Sequence, residues 1–248
     1  MYEAVHAYPD GSSTVARHAR TAAEQGYDGI VVRTRDAVAV DPERAEPAAT
    51  AEPNATSVTT LREEYDIDIV DAVEIDVETP ASAGGSVGNY RPDRTVVCLV
   101  GGDDRLNRFA VEEPRVDVLA RPMDGSGDFN HVLAKAARDN RVHVEFDLGP
   151  LLRATGGRRV RALSDLRKLH EILTYYDTPY VVSANPRTHL ELRAPRDLVA
   201  AAAAAGFDPE WIRGGLNAWG NIVERNRERR SGSFIEPGVR RGRYETER

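Results

Sequence analysis

The chain has 248 residues, a formal net charge of −7, a hydrophobic share of 41% and one cysteine. That length suits one large α/β domain, while a single cysteine excludes a disulfide framework and a cysteine-rich zinc site. The acidic excess gives a hydrated, self-repelling surface of halophilic character, and Lys135 and Lys168 are the only lysines, so arginine carries nearly all the positive charge.

The opening MYEAVHAYPDG lacks a basic segment followed by an apolar one, and no run approaches the roughly 20 apolar residues that span a bilayer. A cytoplasmic protein without membrane contact is expected. Short β-rich runs then alternate with helical patterns. YEAVHA (2–7) precedes a helical stretch at 13–25, GIVVRT (29–34) precedes one at 56–65, and IDIVDAVEI (67–75) reads as a third strand. TVVCLVG (95–101) leads to a helix near 103–112, VDVLA (116–120) to one at 128–139, and VHVEFDL (142–148) to one at 162–176. PYVVSA (179–184) leads to one at 195–205, and a last helix covers 208–231.

Strands such as VVCLV and VDVLA have no polar alternate face, as befits parallel strands covered on both sides. Parallel strands joined by right-handed helical crossovers point to an α/β fold of the TIM-like (β/α) barrel kind, with a doubly wound open sheet as the competing arrangement. No eighth strand stands out, so a distorted or open barrel is expected. Two segments break the pattern: the acidic, Pro- and Ala-rich stretch 36–55 reads as a loop insertion, and 77–94, with Gly-Gly and Pro breaks, reads as a long loop. Residues 1–231 form the expected single domain and 232–248 an expected flexible Arg-rich tail.

A metal-dependent phosphoesterase on such a barrel would need His, Asp and Glu side chains converging at the strand C-termini. His6 ends the first strand, but Tyr8 stands where the second ligand of a His-x-His pair would fall. His143, Glu145 and Asp147 share one strand face and are the strongest metal hint, without a matching partner after TVVCLV or VDVLA. His131, near Phe129, Val132 and Leu133, reads as a packing residue, and Cys98 as a buried small hydrophobe. The glycine pairs at 84–85, 101–102, 156–157 and 214–215 fit neither a P-loop nor a dinucleotide fingerprint. No residue is assigned as catalytic or metal-binding, and no cofactor is assigned to the chain.

Arginine is what recurs at the predicted strand ends: Arg33 and Arg35 after the second strand, Arg121 after the fifth, and Arg187, Arg193 and Arg196 after the seventh. GGRRVRALSDLRK (156–168) adds a stripe with Arg158, Arg159 and Arg161. Charge is uneven elsewhere too, since 36–79 hold 13 acids against 2 arginines and 224–248 hold 8 arginines against 5 acids. Guanidinium groups grip phosphate bidentately, and a rim of them without carboxylate ligands suits a polyanion held by its backbone better than hydrolysis.

One series of motifs goes further. GGDDRLNRFAVEEPRVDVLARP (101–122), FNHVLAKAARDNRVHVEFDLGPLL (129–152), the following GGRRVRAL, and VVSANPRTHLELRAPRDLVAAAAAAGF (181–207) resemble, in the same order, the archaeal ribonuclease P component 3 family. The resemblance spans about residues 1–207. It implies a TIM-like barrel similar to the polymerase-and-histidinol-phosphatase superfamily with the metal ligands lost, as Tyr8 suggests. It also implies a subunit of the ribonucleoprotein that removes the 5′ leader from precursor tRNA, in which the RNA subunit uses magnesium and performs the hydrolysis. Component 2 would be the direct heterodimer partner on the catalytic domain of the RNA, with components 1 and 4 in the same particle. Asn107, Arg108, Arg193, Arg196 and Asp197 match the family pattern, Arg108 and Arg193 as phosphate contacts and Asn107 and Asp197 as loop or helix caps. The alternative carried forward is a metal-dependent phosphoesterase on the same barrel.

Overall fold

In a computed structural model, which describes residues 1–38, 57–231, 234–236 and 239–240, seven strands pair in parallel and in sequence order. They are β1 (Tyr2–Val5), β2 (Gly29–Val32), β3 (Asp68–Ile75), β4 (Val96–Val100), β5 (Val118–Ala120), β6 (His143–Asp147) and β7 (Tyr180–Ser183). Helices α1 (Val15–Glu24), α2 (Val58–Tyr65), α3 (Pro80–Tyr90), α4 (Asp104–Glu112) and α5 (His131–Asn140) follow the first five strands. The short α6 (Gly149–Arg153) and long α7 (Gly156–Tyr175) follow β6, and α8 (Pro195–Ala204) and α9 (Pro209–Arg230) follow β7. The result is the expected TIM-like barrel with seven strands. Most of the 36–55 insertion and of the tail from 232 lies outside the described residues; within the tail, Phe234–Glu236 pairs antiparallel with Val239–Arg240. No helix among the described residues is long and apolar enough to cross a membrane.

Side chains that accept from free amides start most of the helices. Thr14 accepts from Arg17 N, Asp103 from Arg105 N and Leu106 N, Asn130 from Val132 N and Leu133 N, and Asp208 from Glu210 N and Trp211 N. Two expectations need correction here. The segment 77–94 is not a long loop: Thr79 accepts from Ser82 N, Pro80 fits the first turn, and burial of Ala83 and Val87 supplies the tertiary contact that outweighs the low propensity of its glycines. The helix expected at 162–176 begins at Gly156, so the arginine stripe is its first two turns.

Alternation along the strands builds two cores. Outward-facing Leu99, Leu119, Val144 and Phe146 pack beneath the helical layer. Inward-facing Ala4, Val31, Val70, Val96, Cys98, Val118 and Val181 meet Trp219, Ile222 and Val223 of α9, which plugs the N-terminal end of the barrel. A Cβ on Gly215 would fall 2.4 Å from Val182 Cγ2 and 2.8 Å from the Tyr180 ring, so only glycine lets α9 lie against β7.

β1 and β7 do not pair, which leaves two strand edges with amides and carbonyls to satisfy. Trp219 Nε1 donates to Val182 O at 3.0 Å. The Glu3 carboxylate accepts from Ala4 N at 3.1 Å and from Ala184 N at 3.0 Å, bridging the two edges, and His6 N donates to Pro186 O at 3.0 Å just beyond them. A side chain from each flank thus stands in for the missing eighth strand.

Trp219→Ala should cost about 3–5 kcal/mol in denaturant unfolding, the range for a large aromatic removed from a core; a loss below about 1 kcal/mol would mean that α9 does not plug the barrel. Burial pushes the Glu3 carboxyl up from 4.5 to about 7. The folded chain therefore holds this proton where the unfolded chain has released it, and the group's contribution to stability falls as pH rises from 4.5 to about 7. Glu3→Gln keeps an acceptor oxygen and should flatten that part of the stability profile; an unchanged slope would locate the dependence in other groups.

Candidate functional site

The barrel interior turns from apolar to ionic one step above Val31. Arg33, two residues on and facing the same way, is fully buried. Its Nη1 donates to Glu74 Oε2 at 2.9 Å and to Glu145 Oε2 at 3.3 Å, and its Nη2 pairs with Glu145 Oε1. Ser183 Oγ donates to Glu145 Oε1 at 2.6 Å, and Arg121 Nη2 donates to Glu74 Oε1 at 2.7 Å. Below, the guanidinium lies 5.0 Å from the centroid of the Trp219 ring. Burial works against charge here, but Glu145 and Glu74 hold Arg33 firmly protonated. Burial likewise opposes ionisation of Glu74, yet Arg33, His6 and Arg121 hold its carboxyl below the usual range.

Above this cluster, His6 Nε2 donates to Asn185 Oδ1 at 2.6 Å, and Asn185 Nδ2 donates to Asp147 Oδ2 at 3.3 Å. Burial lowers the His6 pKa despite Glu74 3.8 Å away. Asp147 also accepts from Gly149 N at 2.7 Å; burial and the charge of Glu145 raise its pKa to about 6. The mouth opens into a cavity of about 270 Å³ whose walls include Arg121, Asp124, Asp147, Arg158, Arg161 and Asp165.

The expected arginines fall into three groups. Arg121, Arg158 and Arg161 come together at the mouth, and Arg159 is exposed beside them on α7. Arg158, Arg159 and Arg161 have no ion-pair partner among the described residues. Arg187 sits on the rim, donating from Nη1 to Asp10 O at 3.0 Å. A second group points away from the mouth. Arg35 lies exposed over the Tyr90 ring, 5.7 Å from its centroid, and Arg108 is exposed on α4, 3.9 Å from Glu112. Arg193 and Arg196 line a recess with Glu24, Gln25 and Gly26 at the end of α1, because the chain after β7 runs down the flank before α8 begins. Arg33 forms the third group alone. Fully buried and held by two glutamates, it cannot reach a phosphate, and it leaves the RNA-contacting set.

Other side chains also differ from expectation. Asn107, by contrast, is the expected cap of a loop: from inside α4 it donates to Pro122 O at 2.8 Å and Asp128 O at 3.1 Å, tying down the loop after β5. Asp197 caps no amide and pairs with Arg196. His131 is not packed in a core but exposed at the start of α5, tilted over Tyr176 at 6.2 Å. His143, Glu145 and Asp147 do share a strand, but each takes different partners: His143 lies beside Asp117, Glu145 holds Arg33, and Asp147 holds the turn into α6. Glu74 is a site residue that the sequence reading misses, although a single acid within the apolar AVEI (72–75) was the available signal.

These contacts decide whether the mouth suits a metal. Glu74 and Glu145 are taken up by a fixed guanidinium, whose positive charge opposes a second cation in the same place. Among the described residues no group of three or more His, Cys, Asp or Glu side chains is placed to hold one. The donor set does not fit the phosphoesterase alternative. Arg33→Met should leave the buried Glu145 without its cationic partner, Glu74 keeping Arg121, and cost about 3–5 kcal/mol. Adding Glu145→Gln to that variant should recover part of the loss in the same unfolding assay, and no recovery would mean that the pair is not the source.

The profile described as RNase P subunit p30 matches residues 1–231. Ribonuclease P protein component 3 of Halorubrum lacusprofundi is 73% identical over 245 residues, covering 99% of this chain and 99% of that protein. The protein of the same description from Haloarcula marismortui is 57% identical over 240 residues, covering 97% of this chain and 96% of its own length. A chain in the cryo-EM structure of archaeal Ribonuclease P with mature tRNA superposes with a TM-score of 0.78 at 23% identity and covers 100% of both chains, a likeness of fold. With its barrel matched from end to end, and its ion-filled interior set within that match, the chain belongs to the RNase P subunit p30 family.

Proposed function

We propose that this chain is a protein subunit of ribonuclease P, which removes the 5′ leader from precursor tRNA, and that it supports the catalytic domain of the RNA rather than carrying the chemistry. The observation that carries the reading is the barrel mouth. Where a hydrolase would gather ligands for a metal and water, Glu74 and Glu145 are bound to Arg33 and Asp147 is held by Gly149 N and Asn185. Directly above, Arg158, Arg159 and Arg161 present exposed guanidinium groups without ion-pair partners among the described residues. Such groups fit phosphate oxygens and attract a polyanion without chemistry of their own.

The near relatives named component 3 support the same reading. In it, magnesium serves the RNA subunit, component 2 is the direct protein partner, and components 1 and 4 share the particle. Arg35, Arg108, Arg121, Arg187, Arg193 and Arg196 remain proposed RNA contacts, with the mouth group as the primary one.

Reconstitution of precursor-tRNA cleavage from the cognate RNA and component 2 should require this chain at low magnesium. Changing Arg158, Arg159 and Arg161 to Glu should weaken RNA binding and lower the slope of log K against log salt by about 3, about 1 for each phosphate contact. Cleavage indifferent to the chain, together with hydrolysis of a simple phosphate ester that His6→Ala abolishes, would overturn the reading in favour of a phosphoesterase.

A further inference from the structure

The opposite end of the barrel carries a second concentration of positive charge that the mouth does not explain. A cleft of about 250 Å³ there is lined by Pro114, Asp139, Asn140, Arg141, Arg225 and Arg229. One wall is the end of α5 and the other is α9, on which Arg225 and Arg229 lie one turn apart.

Local carboxylates are too few to neutralise it. Asp117 is buried and accepts from Arg91 Nη1 at 2.5 Å and from Arg225 Nη2 at 2.9 Å, so one acid faces two arginines. Asp139 is taken by Arg138 at 3.1 Å. Arg141 and Arg229 are exposed and have no ion-pair partner among the described residues. Burial lowers the pKa of Arg225; Asp117 opposes that shift, while neighbouring Arg229 and Arg91 add to it. This holds within a chain of net charge −7.

We propose that this cleft is a second phosphate-binding site, taking the backbone of an RNA segment at the end of the barrel opposite the mouth. The proposal rests on the RNA-binding reading above and adds a separate surface to it. Guanidinium forks from two walls can close on one phosphate group from both sides. The polymer is favoured over a free anion because Arg141 and Arg229, one on each wall, are exposed, as contact with an extended backbone requires.

The test is fluorescence anisotropy of a short labelled RNA duplex across a salt titration, with folding of each variant checked by circular dichroism. Arg141→Glu with Arg229→Glu should weaken binding and reduce the salt slope by about 2, about 1 per phosphate contact. Arg141→Gln with Arg229→Gln should do the same without introducing acid, and Arg141→Lys with Arg229→Lys should retain the slope. Combined with Arg158→Glu and Arg161→Glu, the losses should add, as independent sites do. Wild-type affinity in the cleft variants while the mouth variants lose binding would overturn the second site alone. Failure of the wild-type chain to bind the duplex would overturn the RNA-binding reading and this site with it. Loss of binding to a poly-glutamate peptide with RNA affinity intact would assign the cleft to an acidic protein and overturn the proposal.

Discussion

A guanidinium sealed inside a barrel dictates much of what surrounds it. Arg33 has no exposure, and an unpaired charge at such a depth would be untenable, so acids must converge on it from other strands. Glu74 comes from β3 and Glu145 from β6, nearly across the barrel, and Ser183 of β7 supports Glu145. Trp219 forms the floor beneath it. This one cation ties four elements together and fixes where the apolar interior stops and the polar mouth begins.

That boundary bears on activity. Barrels of this class perform chemistry at the C-terminal ends of their strands, where side chains from several strands can meet a substrate. Here the meeting has taken place internally: the acids are satisfied by an arginine, the histidine by an asparagine, and the layer is closed. Accessible above it are the arginine-bearing start of α7 and the acids Asp124 and Asp165 of the same cavity. An ion-filled interior beneath an exposed arginine-bearing helix start is the arrangement on which the proposed scaffold role rests.

Openness of the barrel is the second constraint. Seven strands leave β1 and β7 unpaired, and unpaired edges ordinarily invite association with other chains. Glu3, Trp219 and the backbone at Pro186 take up edge groups with individual hydrogen bonds, and α9 covers the gap. The same helix carries Arg225 and Arg229 to the far end of the barrel, so closing the fold and displaying charge are performed by one element.

Much of this was legible in the residues themselves. Strand number, order and parallel pairing follow from local alternation and from apolar runs with no polar face, properties of neighbouring residues that need no knowledge of distant ones. Membership of the family was legible in an ordered series of motifs. The helix at Pro80–Tyr90 was hidden, because its glycines lower intrinsic propensity while burial of Ala83 and Val87, a tertiary effect, sustains it. Among the arginines, sequence assigned Arg33 and Arg158 alike to phosphate, since a buried cation and an exposed one are the same letter. Only the tertiary structure separates them, because what buries Arg33 is Glu74, 41 residues away, and Glu145, 112 residues away, brought in by the closing of the barrel. Likewise Arg193 and Arg196 follow the last strand in sequence yet leave the mouth in space, since the path of a connecting segment is set by what it packs against.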